Sequence, residues 1–362
     1  MRRLRFQFLV CFASLIASAG SAQTADLNSD EQIVFYPACA WPSRDGKWYH
    51  AEIRGCVYEP ESRGLALALV QKGLDLGDIE MTPAQRAVFA ERARLFMVDH
   101  ERGKKVVIRL GKQTHVLGKS GANGQFTETL RLSEEDVNEL LEAAGGEVEY
   151  AAVMPPGDTR QFKGSLRFYR PEGWFVISDI DDTIKITEVT DSRATMRNTF
   201  LEPFRPVPGM ADLYTAWKQA QAGFFYVSAS PWQLYPPLSE FVRSNGFPAG
   251  VFEMKMFRLK DSTITSILED PGKYKPDAIE PILKRFPGGR FVLVGDSGER
   301  DPEIYAGLAR RYPQQIARIL IRNVTREAAD APRYEPTFRN LPRDLWQIFE
   351  DPATVVRVKG LN

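Results

Sequence analysis

The second half of the chain alternates apolar runs with amphipathic segments. Four apolar runs predict buried strands, at 174–178, 223–230, 289–298 and 317–324. Between them, helical spacing of apolar residues predicts helices over 210–221, 236–246 and 276–286. Continuous apolar strands that alternate with helices are typical of a parallel sheet covered by helices on both faces.

The first half has shorter and more mixed signals. Apolar spacing after potential caps at Thr82 and Ser133 predicts two helices, and Asn123-Gly124 predicts a tight hairpin. Runs rich in valine, isoleucine and aromatic residues predict strands over 33–41, 47–60, 104–111 and 147–155. These signals predict a β-rich, sandwich-like domain before the α/β domain.

The first 22 residues differ from both halves. Three arginines precede an apolar run over 6–16, and Gly20-Ser21-Ala22 resembles a cleavage site. The run is too short to span a bilayer as a mature helix. The pattern predicts a signal peptide over 1–22 and export to the periplasm or the outside, and an uncleaved anchor is the alternative. The rest then divides into a β-rich domain over 23–170 and an α/β domain over 171–362.

Charge excludes some partners. Lysine plus arginine number 47, as do aspartate plus glutamate, and the formal net charge is +0. No global field therefore attracts nucleic acid or an anionic membrane. The chain has only three histidines, and none has metal-ligand spacing relative to the cysteines or to another histidine.

Two cysteines remain once the predicted signal peptide, which contains Cys11, is removed. They are Cys39 and Cys56. An even number of cysteines in an exported protein predicts a disulfide between them. Two free buried thiols are the alternative.

Acidic and hydroxyl residues follow the predicted strands of the α/β domain. Asp179, Asp181 and Asp182 come directly after the run 174–178, Ser228 ends the apolar run 224–228 of the next predicted strand, and Asp296 follows the apolar run 291–295 of a third. Ligands of parallel sheets bind beyond the carboxyl ends of the strands, so these groups are expected at one edge. Neighbouring carboxylates repel each other unless a cation is present. Mg²⁺ prefers carboxylate and phosphate oxygens, so the pattern predicts a magnesium-dependent phosphoryl site.

The spacing within the acidic stretch indicates different chemical roles for two of its aspartates. In an extended chain, Asp179 and Asp181 project to the same side. One can attack phosphorus and give an aspartyl-phosphate, while the other donates and accepts a proton. Lys275 would balance the negative charge, and Ser228 would hydrogen-bond a phosphoryl oxygen.

A solvated acidic turn or a calcium loop is the alternative for this stretch. An EF-hand loop requires glycine at its sixth position and glutamate at its twelfth. Ile184 and Thr190 occupy those positions here. The order of the three strand-end motifs favours the phosphoryl site over an acidic turn.

Four motifs together resemble those of the haloacid dehalogenase-like phosphatases. They are the DxDxT motif over 179–183, Ser228, Lys275, and the "GDSGERD" stretch over 295–301. The stretches "SDIDDTIKIT", "YVSASPWQLY" and "LVGDSGERDPEIY" are more closely similar to the actin-patch-protein-type phosphatidate phosphatase catalytic domain, which is related to the lipins. This resemblance covers roughly 171–330. The β-rich half is more weakly similar to the domain that precedes the catalytic part in bacterial members.

The resemblance implies a haloacid dehalogenase-like sheet and Mg²⁺-dependent hydrolysis of phosphatidate to diacylglycerol and phosphate. It implies that Asp179 is the nucleophile and that Asp181 is the general acid/base. Metal binding is implied for Asp179, for the backbone carbonyl of Asp181, for Asp296 and, in a supporting role, for Asp301. Thr183 and Ser228 are expected to hold the phosphoryl group.

Some assignments stay open at this point. Lys273 and Lys275 both suit the third motif, with Lys275 preferred because it lies immediately before the predicted helix. Glu299 and Asp301 are alternatives for the second acidic group of the fourth motif. Aromatic and proline residues after Ser228 are expected either to pack in the core or to contact lipid, namely Trp232, Tyr235, Pro236 and Pro237.

Motif spacing bears on the substrate. About 45 residues separate the first motif from the second, and the second from the third. Neither interval has room for a large cap domain, so an open site and a phospholipid substrate at a membrane surface are expected, with peripheral membrane contact only. A broad phosphomonoesterase acting on other phospholipids, nucleotides or sugar phosphates is the first alternative. A lipid-binding module with an inactive phosphatase-like domain is the second.

Overall fold

The computed structural model describes residues 23–60, 70–74, 76–144, 147–256, 271–328 and 330–361. The predicted signal peptide over 1–22 lies outside this part of the chain. Among the described residues, no helix is both long enough and apolar enough to cross a membrane.

Strands and helices are numbered here in chain order. The strands are β1 (Gln32–Pro42), β2 (Trp48–Pro60), β3 (Val98–His100), β4 (Val107–Leu110), β5 (Gln113–Val116), β6 (Gln125–Ser133), β7 (Glu147–Ala152), β8 (Lys163–Phe168), β9 (Glu172–Ser178), β10 (Gly223–Pro231), β11 (Val251–Lys255), β12 (Gly288–Asp296), β13 (Ile316–Arg322) and β14 (Trp346–Phe349). The helices are α1 (Pro83–Arg94), α2 (Glu134–Ala144), α3 (Ser192–Phe200), α4 (Met210–Gln219), α5 (Tyr235–Ser244), α6 (Pro271–Arg285), α7 (Asp301–Arg311) and α8 (Tyr334–Phe338). Short 3-10 helices lie at Trp232–Leu234, Arg343–Leu345 and Pro352–Thr354.

Strands β1 to β8 form one mixed sheet, which confirms the β-rich character predicted for the first half. The strand order is β3-β2-β1-β8-β7-β4-β5, and β6 pairs with β2 beside this path. Strands β1 and β8 are parallel, whereas the other neighbours are antiparallel. Alternation along β1 buries Ile33 and Phe35 in the core of this half, while Tyr36 joins a core shared with the second half.

The hairpin predicted at Asn123-Gly124 is wrong, although the turn is present. Gly124 has a φ of 71° and donates its N–H to the carbonyl of Gly121 at 2.9 Å. The turn leads into β6, but β6 pairs with β2 and not with β5. A local turn signal cannot specify which distant strand the following segment joins.

The predicted disulfide is also wrong, and the alternative of two free buried thiols is correct. In the register of β1 and β2, Cys39 faces Glu52 and Cys56 faces Val34. Glu52 and Cys56 are four positions apart, which is about 13 Å along a strand. A disulfide needs Cα atoms within about 7 Å. Burial raises the pKa of each thiol to about 12.

Strands β9 to β14 form the second sheet, and the predicted parallel sheet is confirmed. Its order is β11-β10-β9-β12-β13-β14, and all neighbours are parallel. Successive residues of β9 enter cores on opposite faces. Val176 packs in the core that includes Trp217 of α4, and Phe175 lies 4.7 Å, centroid to centroid, from Phe286 after α6. Both faces of this sheet are therefore covered.

Helix α6 begins earlier than its sequence predicts. It starts at Pro271, and Pro276 lies inside the helix instead of at its start. Proline is well tolerated only in the first turn of a helix, so Pro276 indicates a helix start at that position. In the structure Pro276 is nevertheless an interior residue of α6. Lys275 consequently lies within α6, and the reason given for preferring it, a position immediately before the helix, is wrong.

The two sheets are joined by stacked rings and ion pairs. The ring of Tyr36 on β1 stacks on that of Trp232, with 4.0 Å between centroids. Arg54 on β2 pairs with Glu253 on β11 at 2.7 Å. Arg285, the last residue of α6, pairs with Glu52 at 2.7 Å. These contacts connect the first sheet to both faces of the second.

Candidate active site

The two central strands of the second sheet position the first two carboxylates. Asp179 follows β9, and its N–H donates to the carbonyl of Val294 on β12 at 2.9 Å. Asp296 is the last residue of β12. Both are buried. As predicted, the carboxyl ends of two neighbouring parallel strands bring both side chains to one edge of the sheet.

Two more acidic residues complete a cluster at this edge. One oxygen atom each from Asp179, Asp296, Glu299 and Asp301 lies within 4.8 Å of every other. The sequence leaves Glu299 and Asp301 as alternatives, whereas the structure brings both into the cluster. The carboxylate of Asp181 is not part of it.

Lys275 is the cation of this cluster. Its Nζ lies 2.5 Å from Oδ1 of Asp301, 2.7 Å from Oε2 of Glu299 and 3.2 Å from Oδ1 of Asp179. Burial opposes the charged form, but the three carboxylates outweigh it and raise the pKa of Lys275 well above its ordinary value. The side chain of Lys273, the alternative, lies outside the described residues.

The acidic cluster fits a hard divalent cation. Oδ1 of Asp296 accepts hydrogen bonds from the N–H groups of Gly298 at 2.6 Å and Glu299 at 3.1 Å, while its buried Oδ2 has no hydrogen-bond partner. Burial raises the pKa of Asp179, Asp296 and Glu299. A cation would favour the ionised forms and satisfy the orphaned oxygen, and an all-oxygen donor set suits Mg²⁺.

Asp181 is held by four donors apart from the cluster. Its Oδ1 lies 2.7 Å from Nζ of Lys185 and accepts from Oγ1 of Thr187 at 2.8 Å. Its Oδ2 accepts from Oγ of Ser228 at 3.2 Å and of Ser230 at 3.0 Å. Burial alone would raise the pKa of Asp181, but Lys185 and these hydrogen bonds lower it.

Three of those donors, Lys185, Thr187 and Ser230, are not predicted from the sequence. Lys185 and Thr187 are buried just after the DxDxT motif, and Ser230 follows Ser228 by two residues. The available signal is a pair of polar residues in a stretch that is otherwise apolar, "IKIT". A polar residue buried in such a stretch needs a hydrogen-bond partner nearby.

The third aspartate of the motif builds the loop. Asp182 is buried and has a φ of 51°. Its carboxylate accepts from the backbone N–H groups of Thr187 at 2.8 Å, Glu188 at 3.0 Å and Val189 at 2.6 Å. Asp182 therefore closes the segment over 182–189, in which Lys185 and Thr187 reach Asp181.

The predicted phosphoryl-binding hydroxyl groups lie beside the two carboxylates. Thr183 donates from Oγ1 to Oδ2 of Asp179 at 3.2 Å, and Ser228 donates to Asp181. All five predicted catalytic residues thus lie at the same edge of the second sheet, where Thr183 and Lys275 contact Asp179 and Ser228 contacts Asp181.

Gly295 also shapes the site and is missed as a functional position. A Cβ atom there would lie 2.7 Å from Cβ of Asp301, closer than real Cβ contacts allow. Asp301 needs this close approach because its Oδ2 accepts the N–H of Asp296 at 3.2 Å. The glycine in "GDSGERD" therefore has a packing reason.

The aromatic residues after the second motif pack in the core. Trp232 stacks on Tyr36, and the ring of Tyr235 lies edge-on to Tyr36 at 5.4 Å. The described contacts show core packing for both rings, and Trp232 also lines the wall of a cleft. Pro236 remains exposed and borders a cleft between the two sheets.

Comparison with known proteins identifies relatives of this half. Residues 174–323 match the family model of the phosphatidate phosphatase APP1 catalytic domain. Phosphatidate phosphatase APP1 of Saccharomyces cerevisiae is 34% identical over 194 residues, which is 52% of this chain and 32% of the yeast protein. An uncharacterized protein of Schizosaccharomyces pombe is 33% identical over 155 residues, 42% of this chain and 25% of that protein. The chain spans about a third or less of the length of these relatives.

Similarity to solved structures is weak. The crystal structure of a β-glucuronidase from Parabacteroides merdae covers 81% of this chain and 34% of that chain, with a TM-score of 0.26 and 9% identity. This likeness carries no argument about the fold or the chemistry. The relatives matched by sequence are informative because the matched segment contains every residue of the acidic cluster, Lys275 and the DxDxT motif.

Proposed function

We propose that the protein hydrolyses phosphatidate to diacylglycerol and phosphate in a magnesium-dependent reaction, because residues 174–323 match the family model of the phosphatidate phosphatase APP1 catalytic domain. The observation that carries the proposal is the acidic cluster with Lys275 inside the matched segment. The parallel sheet, with Asp179 after its central strand β9, supports a haloacid dehalogenase-like fold.

Four side chains would hold the metal, namely Asp179, Asp296, Glu299 and Asp301. When bound, Mg²⁺ supplies positive charge that stabilises the phosphoryl oxygens during transfer. Lys275 adds a fixed positive charge, since its Nζ contacts Asp179, Glu299 and Asp301. Thr183 and Ser228 supply hydroxyl donors for phosphoryl oxygens beside the two reacting carboxylates.

Asp179 is the proposed nucleophile. One of its carboxylate oxygens attacks phosphorus, an O–P bond forms, and the bond from phosphorus to the glycerol oxygen breaks. Asp181 gives its proton to the departing alkoxide, so diacylglycerol leaves as a neutral alcohol. Water then attacks phosphorus and gives a proton to Asp181, the bond between Asp179 and phosphorus breaks, and phosphate is released.

Asp181 must carry a proton when the alkoxide leaves, although its contacts favour the carboxylate. The negative phosphoryl group of a bound substrate would reverse this preference, because a like charge nearby favours the protonated form. The hydroxyl of Ser228 would also turn from Asp181 to a phosphoryl oxygen. Lys185, Thr187 and Ser230 are positioning residues that keep Asp181 in place during this exchange.

Export and membrane contact are further parts of the proposal. The sequence over 1–22 supports a signal peptide, so we infer that the mature chain begins near Gln23 and acts outside the cytoplasm. The N-terminus of the mature protein, read by mass spectrometry from a cell-envelope fraction, tests this. Contact with membranes is proposed to be peripheral. Flotation with phosphatidate-containing vesicles measures it, and a protein that never floats with them contradicts it.

The test of the activity is phosphate release from phosphatidate in mixed micelles, with Mg²⁺ or with EDTA. We expect magnesium-dependent release that Asp179→Asn abolishes. The matched control Asp212→Asn, at an exposed position on α4, should retain full activity. Release from water-soluble phosphomonoesters but not from phosphatidate would assign the protein as a broad phosphomonoesterase. Vesicle binding without release from any ester would favour the inactive lipid-binding module.

A further inference from the structure

An apolar cleft lies between the first sheet and the segment that follows β10. Its cavity volume is about 60 Å³, and the cleft is partly open to solvent. Half-buried or buried apolar side chains line much of it, including Val34, Tyr36, Leu95, Val98 and Trp232, and exposed Pro236 lies at its rim. Pockets that enclose a whole ligand commonly have volumes of about 300–1,000 Å³, so this cleft does not enclose a ligand of that size, and a long apolar group would lie along it with part of its length exposed to solvent.

Strand alternation builds one wall of the cleft. Ile33 and Phe35 of β1 point into the core of the first half, so Val34 and Tyr36 point to the opposite face. Cys56 faces Val34 across the register and lines the same wall. The first sheet therefore presents one face to its own core and part of the other face to the cleft.

The opposite wall continues from the catalytic edge. Ser230 donates a hydrogen bond to Asp181, and Trp232 follows only two residues later. Two residues span at most about 7 Å, so the Cα of Trp232 lies within about 7 Å of that of Ser230. The end of β10, which contacts the proposed general acid/base, thus leads directly into the cleft.

Contacts between the two halves hold this wall in place. Trp232 stacks on Tyr36 at 4.0 Å, and the guanidinium of Arg54 lies 5.6 Å from the centre of the Trp232 ring. Arg54 is itself anchored by Glu253 at 2.7 Å and by the carbonyl of Phe252 at 3.0 Å. A cleft with such anchored walls is largely formed before any ligand arrives.

The lining also restricts what the cleft can take. The described residues that line it include no aspartate, glutamate, lysine or arginine. A second phosphate, a nucleotide or a sugar phosphate would find no charged partner there. A hydrocarbon chain would bury apolar surface against aliphatic and aromatic side chains, which is favourable.

We propose that this cleft binds an acyl chain of the substrate whose phosphoryl group lies at Asp179. The inference rests on the proposed function and extends it, because it gives the first sheet a role in substrate selection. The enzyme would recognise a phosphate ester by its charge at the sheet edge and by one hydrocarbon chain in the cleft.

Binding of two phosphonates to the full-length mature protein tests the proposal without turnover. Isothermal titration calorimetry with Mg²⁺ would compare dodecylphosphonate, kept below its critical micelle concentration, with methylphosphonate. Both ligands offer the same charged group, and only the first offers a chain. We expect dodecylphosphonate to bind at least tenfold more tightly. Equal affinities would overturn the proposal.

A variant that fills the cleft locates the chain. Val98→Phe places a larger side chain in the cleft. We expect this variant to bind dodecylphosphonate less than threefold more tightly than methylphosphonate; this ratio of affinities is the chain advantage. The matched control Val116→Phe makes the same change at a 44% exposed position on β5, outside the cleft, and should leave the advantage unchanged. Leu95→Phe serves instead if Val98→Phe does not fold. An unchanged advantage in a folded cleft variant would place the chain elsewhere and overturn the proposal.

Kinetics separate this inference from the proposed activity. Val98→Phe should raise KM for long-chain phosphatidate at least fivefold while leaving kcat/KM for p-nitrophenyl phosphate unchanged. If the wild type binds the chain as expected but releases no phosphate from phosphatidate, the chain-binding cleft is supported and the proposed activity fails. If phosphatidate is hydrolysed but chain length and the cleft variants affect neither binding nor KM, the activity is supported and the cleft proposal fails.

Discussion

Nζ of Lys275 lies 2.5 Å from Oδ1 of Asp301, and neither side chain is exposed to solvent. The same ammonium also contacts Glu299 and Asp179. One buried cation therefore compensates three carboxylates that would otherwise repel one another. The acidic edge of the sheet depends on a residue that approaches from α6, a helix whose sequence neighbours are far from the DxDxT motif.

Replacing this cation should be costly. We expect Lys275→Met to lower the free energy of unfolding by about 3–5 kcal/mol at neutral pH, because it leaves buried carboxylates without their counterion. Urea denaturation in EDTA measures the change. Lys284→Met is the control, since Lys284 lies on the same helix, is 67% exposed and pairs with Glu280 only at 3.6 Å. Equal losses in the two variants would contradict the central role of Lys275.

Gly295 should tolerate no side chain. Gly295→Ala forces Asp301 to move, so we expect it to lower the free energy of unfolding. We also expect kcat/KM of the proposed phosphatase reaction to fall at least tenfold. Gly307→Ala, in the middle of α7 with no atom within 4 Å of the added Cβ, should instead raise stability by about 0.5–1 kcal/mol. Urea denaturation and phosphate release measure the two effects. Full activity in Gly295→Ala would show that Asp301 can move without consequence.

Asp182 is expected to act through the fold. Asp182→Ala leaves three backbone N–H groups without their acceptor, so we predict a loss of at least about 2 kcal/mol of unfolding free energy. Asp191→Ala removes an N-cap of α3 that also accepts from backbone N–H groups, and it should cost about 1 kcal/mol. Chemical denaturation of both variants gives the comparison. A cost for Asp182→Ala no larger than that for Asp191→Ala would mean that water replaces the carboxylate.

Magnesium should stabilise the folded protein through the acidic cluster. A ligand at 100 times its dissociation constant stabilises by about 2.7 kcal/mol, and we expect a corresponding rise in Tm for wild type after removal of EDTA. Asp296→Asn should reduce the rise by more than half, because the orphaned Oδ2 of Asp296 is a proposed ligand. Asp212→Asn should show the full rise. An undiminished rise in Asp296→Asn would place the ion elsewhere.

The two thiols should be unreactive until the protein unfolds. Their pKa rises from 9.0 to about 12 on burial, so the folded thiolate fraction is roughly a thousandfold smaller at pH 8. We expect negligible reaction with Ellman's reagent in the native mature chain and two reactive thiols in guanidinium without reductant. Fewer than two reactive thiols would indicate that Cys39 and Cys56 form a disulfide.

The same thiols should make the folded protein less stable at alkaline pH. A group whose pKa is raised by folding stabilises the fold fully below its unfolded pKa and ceases to do so as pH rises through the folded value. The thiols' contribution should therefore be present below about pH 9 and lost progressively up to about pH 12. Urea midpoints of wild type and Cys39→Ala across this range should show a shallower decline in the variant.

The reactive residues at the carboxyl ends of the strands of the second sheet were predictable from the local pattern of apolar and polar residues. Apolar runs mark β9, β10 and β12, and the polar residue after each run falls at the carboxyl end of a parallel strand. That geometry places Asp179, Ser228 and Asp296 together whatever the loops do. Helix α3 was missed because its buried face contains Thr195, Asn198 and Thr199, which give no apolar periodicity.

The sequence by itself determined the class of the sheet, the order of its strands along the chain and the residues at its reactive edge, because strand alternation and motif spacing are local properties. Only the tertiary structure decided that Glu299 and Asp301 both join Lys275, that Cys39 and Cys56 stay apart, and that β6 joins β2. Those outcomes depend on strand register, on where α6 begins and on which distant surfaces pack. They are set by burial over the whole chain, which no short stretch of sequence records.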